Sequence, residues 1–187
     1  MSATQKPLAD LGRQLNLLGV LGVSLALLIA FYYQLALREL PCPLCLLQRA
    51  GLIMVGLAFM LNVRFGERGR HYAMALIGAV VTGGIALRQV LLHIVPGTGA
   101  YGSAVFGVHF YTLAWVSSVA TVLYVAVLLL RFRRESAPLA AGQGGWTVRL
   151  ALGLFTALIA ANLVSTLLEC GTGQCADDPV VYEWLQR

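Results

Sequence analysis

Charge is scarce in this chain: Asp, Glu, Lys and Arg make up 11% of its 187 residues, against about 25% in soluble domains. Hydrophobic residues make up 59%, and the mean hydropathy is +0.80, which excludes an ordinary soluble globular domain. The net charge of +5 comes without any long Lys/Arg run, so it does not point to nucleic acid; the arginines form short clusters between apolar segments. No internal repeat or long low-complexity tract divides the sequence, and one domain over residues 1–187 is expected. No small-x-small cleavage site follows the first apolar run, which is longer than a secretory h-region despite Lys6 and Arg13 ahead of it. Pro41 stands where a lipid-attached cysteine at Cys42 would need a small residue, so the first helix is expected to be retained. Cysteine, finally, is absent except in two close pairs, Cys42/Cys45 and Cys170/Cys175.

Five stretches are long enough to cross a hydrocarbon core that takes about 20 helical residues: approximately 16–36, 44–63, 71–94, 108–131 and 148–168. Lipid-exposed backbone must satisfy its own hydrogen bonds, so the fold class is all-α, a polytopic membrane helical bundle with a four-helix core plus a fifth transmembrane helix. Residues 1–15 read as a short polar start, and Ser136 to Gly145 as a flexible cytoplasmic linker. Pro96 to Gly107, with four glycines, reads as an external loop able to cover a site near the membrane surface. In the tail, 169–187, Asp178-Pro179 resembles a helix N-cap with proline at the first position, predicting a short helix from Pro179 toward Arg187 whose Val181, Tyr182, Trp184 and Leu185 suit a membrane interface.

With five spans, alternate segments can be compared for charge. One side carries Lys6, Arg13, Arg64, Arg68, Arg70, Arg131, Arg133, Arg134 and Arg149 against Asp10, Glu67 and Glu135. The other carries Arg38 and Arg187 against Glu39, Glu169, Asp177, Asp178 and Glu183. The positive-inside rule makes the first side cytoplasmic, with the N-terminus, and places both cysteine pairs and the C-terminus outside. In a bacterium that is the periplasm, where disulfides form and persist.

Cys42-Pro43-Leu44-Cys45 at the start of a helix suits redox work, because the unpaired amides and the dipole there favour thiolate. The same spacing also serves zinc sites and inert bridges. Cys170-Gly-Thr-Gly-Gln-Cys175 is flexible enough to close a small disulfide ring, either a static clip or a mobile exchange site. A four-thiolate zinc site from both pairs has workable ligand chemistry but is disfavoured by an oxidising exterior, and no metal is expected. Arg49 lies one turn after Cys45, and Arg88 on the antiparallel third span reaches a similar depth. Ionisable residues inside spans are costly and functional by default, although both could snorkel to lipid headgroups. Gln48 and Gln89 lie beside them, with His93 near the helix end and His109 across the loop. Apolar walls, amide donors and a cation are what a quinone headgroup and tail require. Haem on His93 and His109 is the competing reading, but it would leave the cysteines unexplained.

The block Pro41-Cys42-Pro43-Leu44-Cys45-Leu46-Leu47-Gln48-Arg49 resembles the disulfide bond formation protein B (DsbB) family, bacterial inner-membrane thiol oxidases, and the likeness extends over the first three helices, including Arg88. The resemblance implies that Cys45 contacts ubiquinone or menaquinone, that Arg49 holds the headgroup, and that Cys42 exchanges with a second pair. Cys170 and Cys175 would stand in for that pair, which takes electrons from a periplasmic thioredoxin-like dithiol oxidase (DsbA-like). Gln48, Arg88 and His93 complete the candidate quinone site. The chain departs from the family pattern in one respect: residues 95–109, where well-known members carry the second pair, contain no cysteine, and the pair follows a fifth helix instead. Two other readings stand beside this one. One is a vitamin K epoxide reductase-like quinone reductase, and the other a non-catalytic scaffold or sensor braced by disulfides.

Overall fold

The computed structural model describes residues 5–95, 97, 99–131 and 145–186. Five helices, α1 (Gln5–Ala36), α2 (Pro43–Phe65), α3 (Gly69–Leu92), α4 (Phe110–Arg131) and α5 (Trp146–Cys170), are each long and apolar enough to cross a membrane. The chain is thus an all-α, multi-pass membrane bundle, as hydropathy predicts. α2 sits between α1 and α3, α4 packs on α3, and α5 packs on α1 and more lightly on α2. Most of each apolar surface faces outward, as in Leu18, Leu25, Val80 and Leu130. Lipid supplies no hydrophobic drive between helices, so close packing of small residues must hold them together.

Glycines provide that closeness. A Cβ on Gly78 of α3 would stand 2.9 Å from the carbonyl oxygen of Gly51 on α2, so these two backbones meet without room for a methyl group. Gly19 admits the ring of Phe59, and Gly56 that of Phe155. Around them Val20, Leu27, Val55, Phe59, Val125, Leu128 and Phe155 form the core. At the end away from the cysteines, buried polar groups tie α1, α2 and α3. The Asn16 amide donates to Glu67 (3.1 Å) and to the Tyr72 hydroxyl (2.9 Å), Asn62 donates to Asn16 (2.9 Å), and Tyr72 donates to Glu67 (2.8 Å).

Three expectations change. Within the stretch read as a short polar start, residues 5–15 belong to α1, which is helical from Gln5. A helix does not form from Pro179: only a 3-10 turn, Glu183–Leu185, follows, because Pro179 is buried and Asp178, Pro179 and Val180 line a cavity instead. So short a segment gains too few internal bonds to offset helix nucleation. The glycine-rich loop contains a small antiparallel hairpin, β1 (Ala104–Val105) and β2 (Val108–His109). Its turn places Phe106 and Gly107 at φ 51° and 80°, the two positive values that match the twist of a tight hairpin. The linker from Ser136, apart from Gly145, lies outside the described residues.

Candidate functional site

At the cysteine end, α2 begins at Pro43, one residue before the start of the expected span at 44. Pro43 occupies the first turn, where its missing N–H costs nothing, and Cys42 is the N-cap. Its sulfur accepts from the backbone N–H of Cys45 at 3.2 Å and from the Gln89 amide at 3.4 Å, and lies 2.6 Å from the Cys45 sulfur. The helix start therefore stabilises Cys42, whereas Cys45 lies within the first turn, beside the cavity described below. The hydrogen bond from Cys45, helped by the backbone N–H groups and Gln89 and opposed by burial, brings the Cys42 thiol down to about 7.

That cause is open to test. In the reduced protein, alkylation of Cys42 by a small reagent should rise with pH to a midpoint near 7. Cys45→Ala removes the largest stabilising contact, so the midpoint should move up toward the ordinary value of about 8.5, slowing alkylation at neutral pH about tenfold. An unmoved midpoint in the variant would show that Cys45 is not the cause.

Gln48 and Arg49 follow one turn on, both buried. The Gln48 amide donates to Gln89 at 2.8 Å, so Gln89 bridges α3 to both cysteines and to α2. Arg49 donates to the Gln34 side-chain oxygen at 2.7 Å and to the Ala30 carbonyl at 3.3 Å, with its guanidinium 5.5 Å from the centre of the Phe31 ring. Gln34 in turn donates to Ser165 of α5 (2.6 Å) and to the Tyr182 hydroxyl of the tail (3.1 Å). Arg49 is thus no snorkelling side chain; a polar chain running from α1 to α5 and the tail fixes it inside the bundle.

Cys45, Gln48 and Arg49 open onto a cavity of about 730 Å³. Its walls run between α1 (Ala26, Ile29) and α4 (Leu113, Ala114), and its outer end is covered by Ala100 to Gly102 and by the tail residues Asp178 to Val180. The loop is pinned there. Tyr101 donates to the Leu40 carbonyl at 2.9 Å, and Ser103 donates to Glu39 through both its backbone N–H (3.1 Å) and its hydroxyl. Burial pushes the Tyr101 hydroxyl pKa up, so it remains a donor at neutral pH.

Not every candidate joins this site. Arg88 is exposed and does not line the cavity. Adjacent helical residues point about 100° apart, and since Gln89 faces α2, Arg88 faces outward. His93 caps α3, bonds through Nδ1 to the Gln89 carbonyl (2.8 Å) and stacks on Tyr111, which does line the cavity. Its link to the cavity is through Tyr111. His109 also stacks on Tyr111, with ring centres 5.2 Å apart. Cys170 and Cys175 form a disulfide at the end of α5, with Cys170 buried and Cys175 half-buried. Among the described residues no cluster of three or more metal-ligating side chains occurs. Sequence reasoning did not single out Gln34, Tyr101, Ser165, Glu169 or Tyr182 as site residues. Only Gln34, a lone amide in an apolar run, carried a local signal.

The family model described as Disulfide bond formation protein DsbB matches residues 12–104, which include Cys42, Cys45, Gln48, Arg49 and Gln89 but not the second cysteine pair. Disulfide bond formation protein B of Marinobacter nauticus is 34% identical over 147 residues, 71% of this chain and 83% of the relative. The protein of that name from Xanthomonas campestris pv. campestris (strain 8004) is 40% identical over 85 residues, 43% of this chain and 49% of the relative. A third, Disulfide bond formation protein B 1 of Pseudomonas fluorescens Pf-5, is 35% identical over 106 residues, 54% of this chain and 52% of the relative. The chain thus spans about half the length of several curated relatives that it matches, and most of the length of another. No solved structure matches it. A likeness that covers most of the Marinobacter relative, together with Cys42 as the cap of α2 and Cys45 one turn before Arg49, places the chain in the DsbB family of disulfide bond formation proteins.

Proposed function

We propose that the protein is a quinone-dependent thiol oxidase of the bacterial inner membrane, which reoxidises a periplasmic thioredoxin-like dithiol protein and passes the electrons to ubiquinone or menaquinone. The observation that carries this is the opening of Cys45, Gln48 and Arg49 onto one cavity. Its volume falls in the range of about 300–1,000 Å³ typical of small-molecule sites. Aliphatic walls between α1 and α4 suit an isoprenoid tail, and Arg49 and Gln48 suit a headgroup's oxygens. A quinone bound there would supply a two-electron, two-proton acceptor.

The residues of the chain account for the rest. A partner thiolate attacks the more accessible sulfur, Cys175, breaking the Cys170–Cys175 bond and freeing Cys170; the partner's second thiol then resolves the mixed disulfide. Cys170 next attacks the Cys42–Cys45 disulfide at Cys42, and Cys45 leaves beside Arg49 and the cavity and takes a proton to become the thiol. Cys175 closes on Cys170, restoring the outer disulfide and freeing Cys42. When Cys42 closes on Cys45, two electrons leave for the acceptor. The net change is dithiol plus quinone to disulfide plus quinol. The charge asymmetry of the loops supports a periplasmic location for both pairs.

The test is anaerobic mixing of the detergent-solubilised protein with a reduced thioredoxin-like periplasmic protein and ubiquinone or menaquinone. Quinone loss matched one-to-one by partner disulfide is expected. No turnover with either quinone, with both disulfides intact, would favour a scaffold braced by them.

A further inference from the structure

Glu169 has no part in that cycle, yet it is only 3% exposed, and neither carboxylate oxygen has a hydrogen-bond partner among the described residues. A carboxylate left so is costly and persists only where nearby charge compensates it or where it takes a proton. Its surroundings supply both possibilities. Ser165 lies one turn earlier on the same face of α5 and receives the Gln34 amide that holds Arg49. Glu169 lies within electrostatic reach of Arg49 and of Cys42 from the α2 side, and of Tyr101 from the covering loop. Arg49 is also within reach of Tyr182 in the tail and of both inner cysteines. The hydrogen bonds of Arg49 go to the neutral Gln34 and Ala30, so its charge is left to balance an anion at Glu169 or at Cys42.

We infer that Glu169 is the proton-holding site of the inner cysteine pair, taking up the proton that the Cys42 thiol releases. One guanidinium balances one anion: as Cys42 changes from thiol to thiolate, Glu169 changes from carboxylate to carboxylic acid, and the local charge is conserved. Cys42 then closes on Cys45. Two thiols in all lose two electrons and two protons, one S–S bond forms, and the acceptor gains both electrons and both protons, one of them by way of Glu169. This role rests on the thiol oxidase reading for its acceptor, but the proton exchange between Cys42 and Glu169 needs no quinone.

The experiment is infrared difference spectroscopy of the full chain in detergent without quinone, comparing the oxidised inner pair with the reduced pair at a pH where Cys42 is thiolate and Glu169 holds its proton. A carboxyl C=O band that changes with the redox state is expected in the unaltered protein, absent in Glu169→Gln and absent in the Cys42→Ser/Cys45→Ser double variant. Glu169→Asp, which keeps the acid, should retain it. In quinone assays Glu169→Gln should lower kcat about tenfold or more with an unchanged KM, and should lose the part of the pH profile that rises as the carboxylate forms. No redox-linked carboxyl band in the unaltered protein would overturn the inference even if no variant folds. So would a band that survives in either Glu169→Gln or the double cysteine variant. A band present without quinone turnover would instead leave the proton site standing and remove the oxidase reading.

Discussion

Cys45→Ser should leave the protein able to oxidise its partner once and never again. The outer disulfide, Cys170–Cys175, is untouched by the change, so each chain should yield one equivalent of partner disulfide in a burst. The inner disulfide cannot then form, the outer pair has nothing to pass its electrons to, and steady quinone reduction should fall by at least about a thousandfold, as removal of a covalent nucleophile does. Changing Cys170 and Cys175 together to serine should give the complementary phenotype. A small dithiol that reaches Cys42 should still drive quinone reduction, whereas the protein partner should not. Rapid-quench counting of partner disulfides against quinone absorbance separates the cases. Continued turnover of Cys45→Ser with the protein partner would break the proposed order of the two pairs.

Arg49→Met should impair the other half of the cycle. A hydrogen bond from a charged donor contributes about 1.5–3 kcal/mol, so the KM for quinone should rise by roughly 10- to 150-fold while the burst of partner oxidation stays unchanged. The loss also leaves Gln34 without the donor it now accepts from, and part of the effect will come from that amide turning toward the cavity. Arg49→Lys distinguishes charge from shape. Lysine keeps the cation but cannot reach Gln34 and the Ala30 carbonyl with one planar fork, so rescue should be partial. An Arg49→Met protein with ordinary quinone kinetics would remove Arg49 from the binding site.

The spans were legible because a bilayer imposes a length of apolar sequence that no other feature mimics, and the hydropathy windows and helices agree to within a few residues apart from the longer α1. Cys42, Cys45, Gln48 and Arg49 are legible because two successive helical turns bring them together, whatever the rest of the chain does. The partners of Arg49 were not. Gln34 lies 15 residues before it, and Ser165 and Tyr182 lie 131 and 148 residues beyond Gln34, so only the packing of α5 and the tail on α1 unites them. Rotation about the helix axis was equally hidden. A helix that is apolar nearly all round carries no amphipathic stripe to show which face turns inward, so the sequence points to Arg88 for the site, whereas the close contact of α2 and α3 turns its neighbour Gln89 toward the cysteines. Glu169 was counted as a loop charge because it is the penultimate residue of its helix, and its burial depends on the elements folded over it.

The contact between Gly51 and Gly78 acts on the redox pair as a mechanical stop. Two backbones touching without an intervening side chain cannot slide along one another without collision, so the vertical alignment of α2 and α3 is fixed about six residues below Cys45. One residue of slip is about 1.5 Å along a helix, enough to part the Gln89 amide from the Cys42 sulfur, which it meets at 3.4 Å. The thiolate's surroundings are therefore calibrated at a distance by two residues that have no side chains and no chemistry of their own.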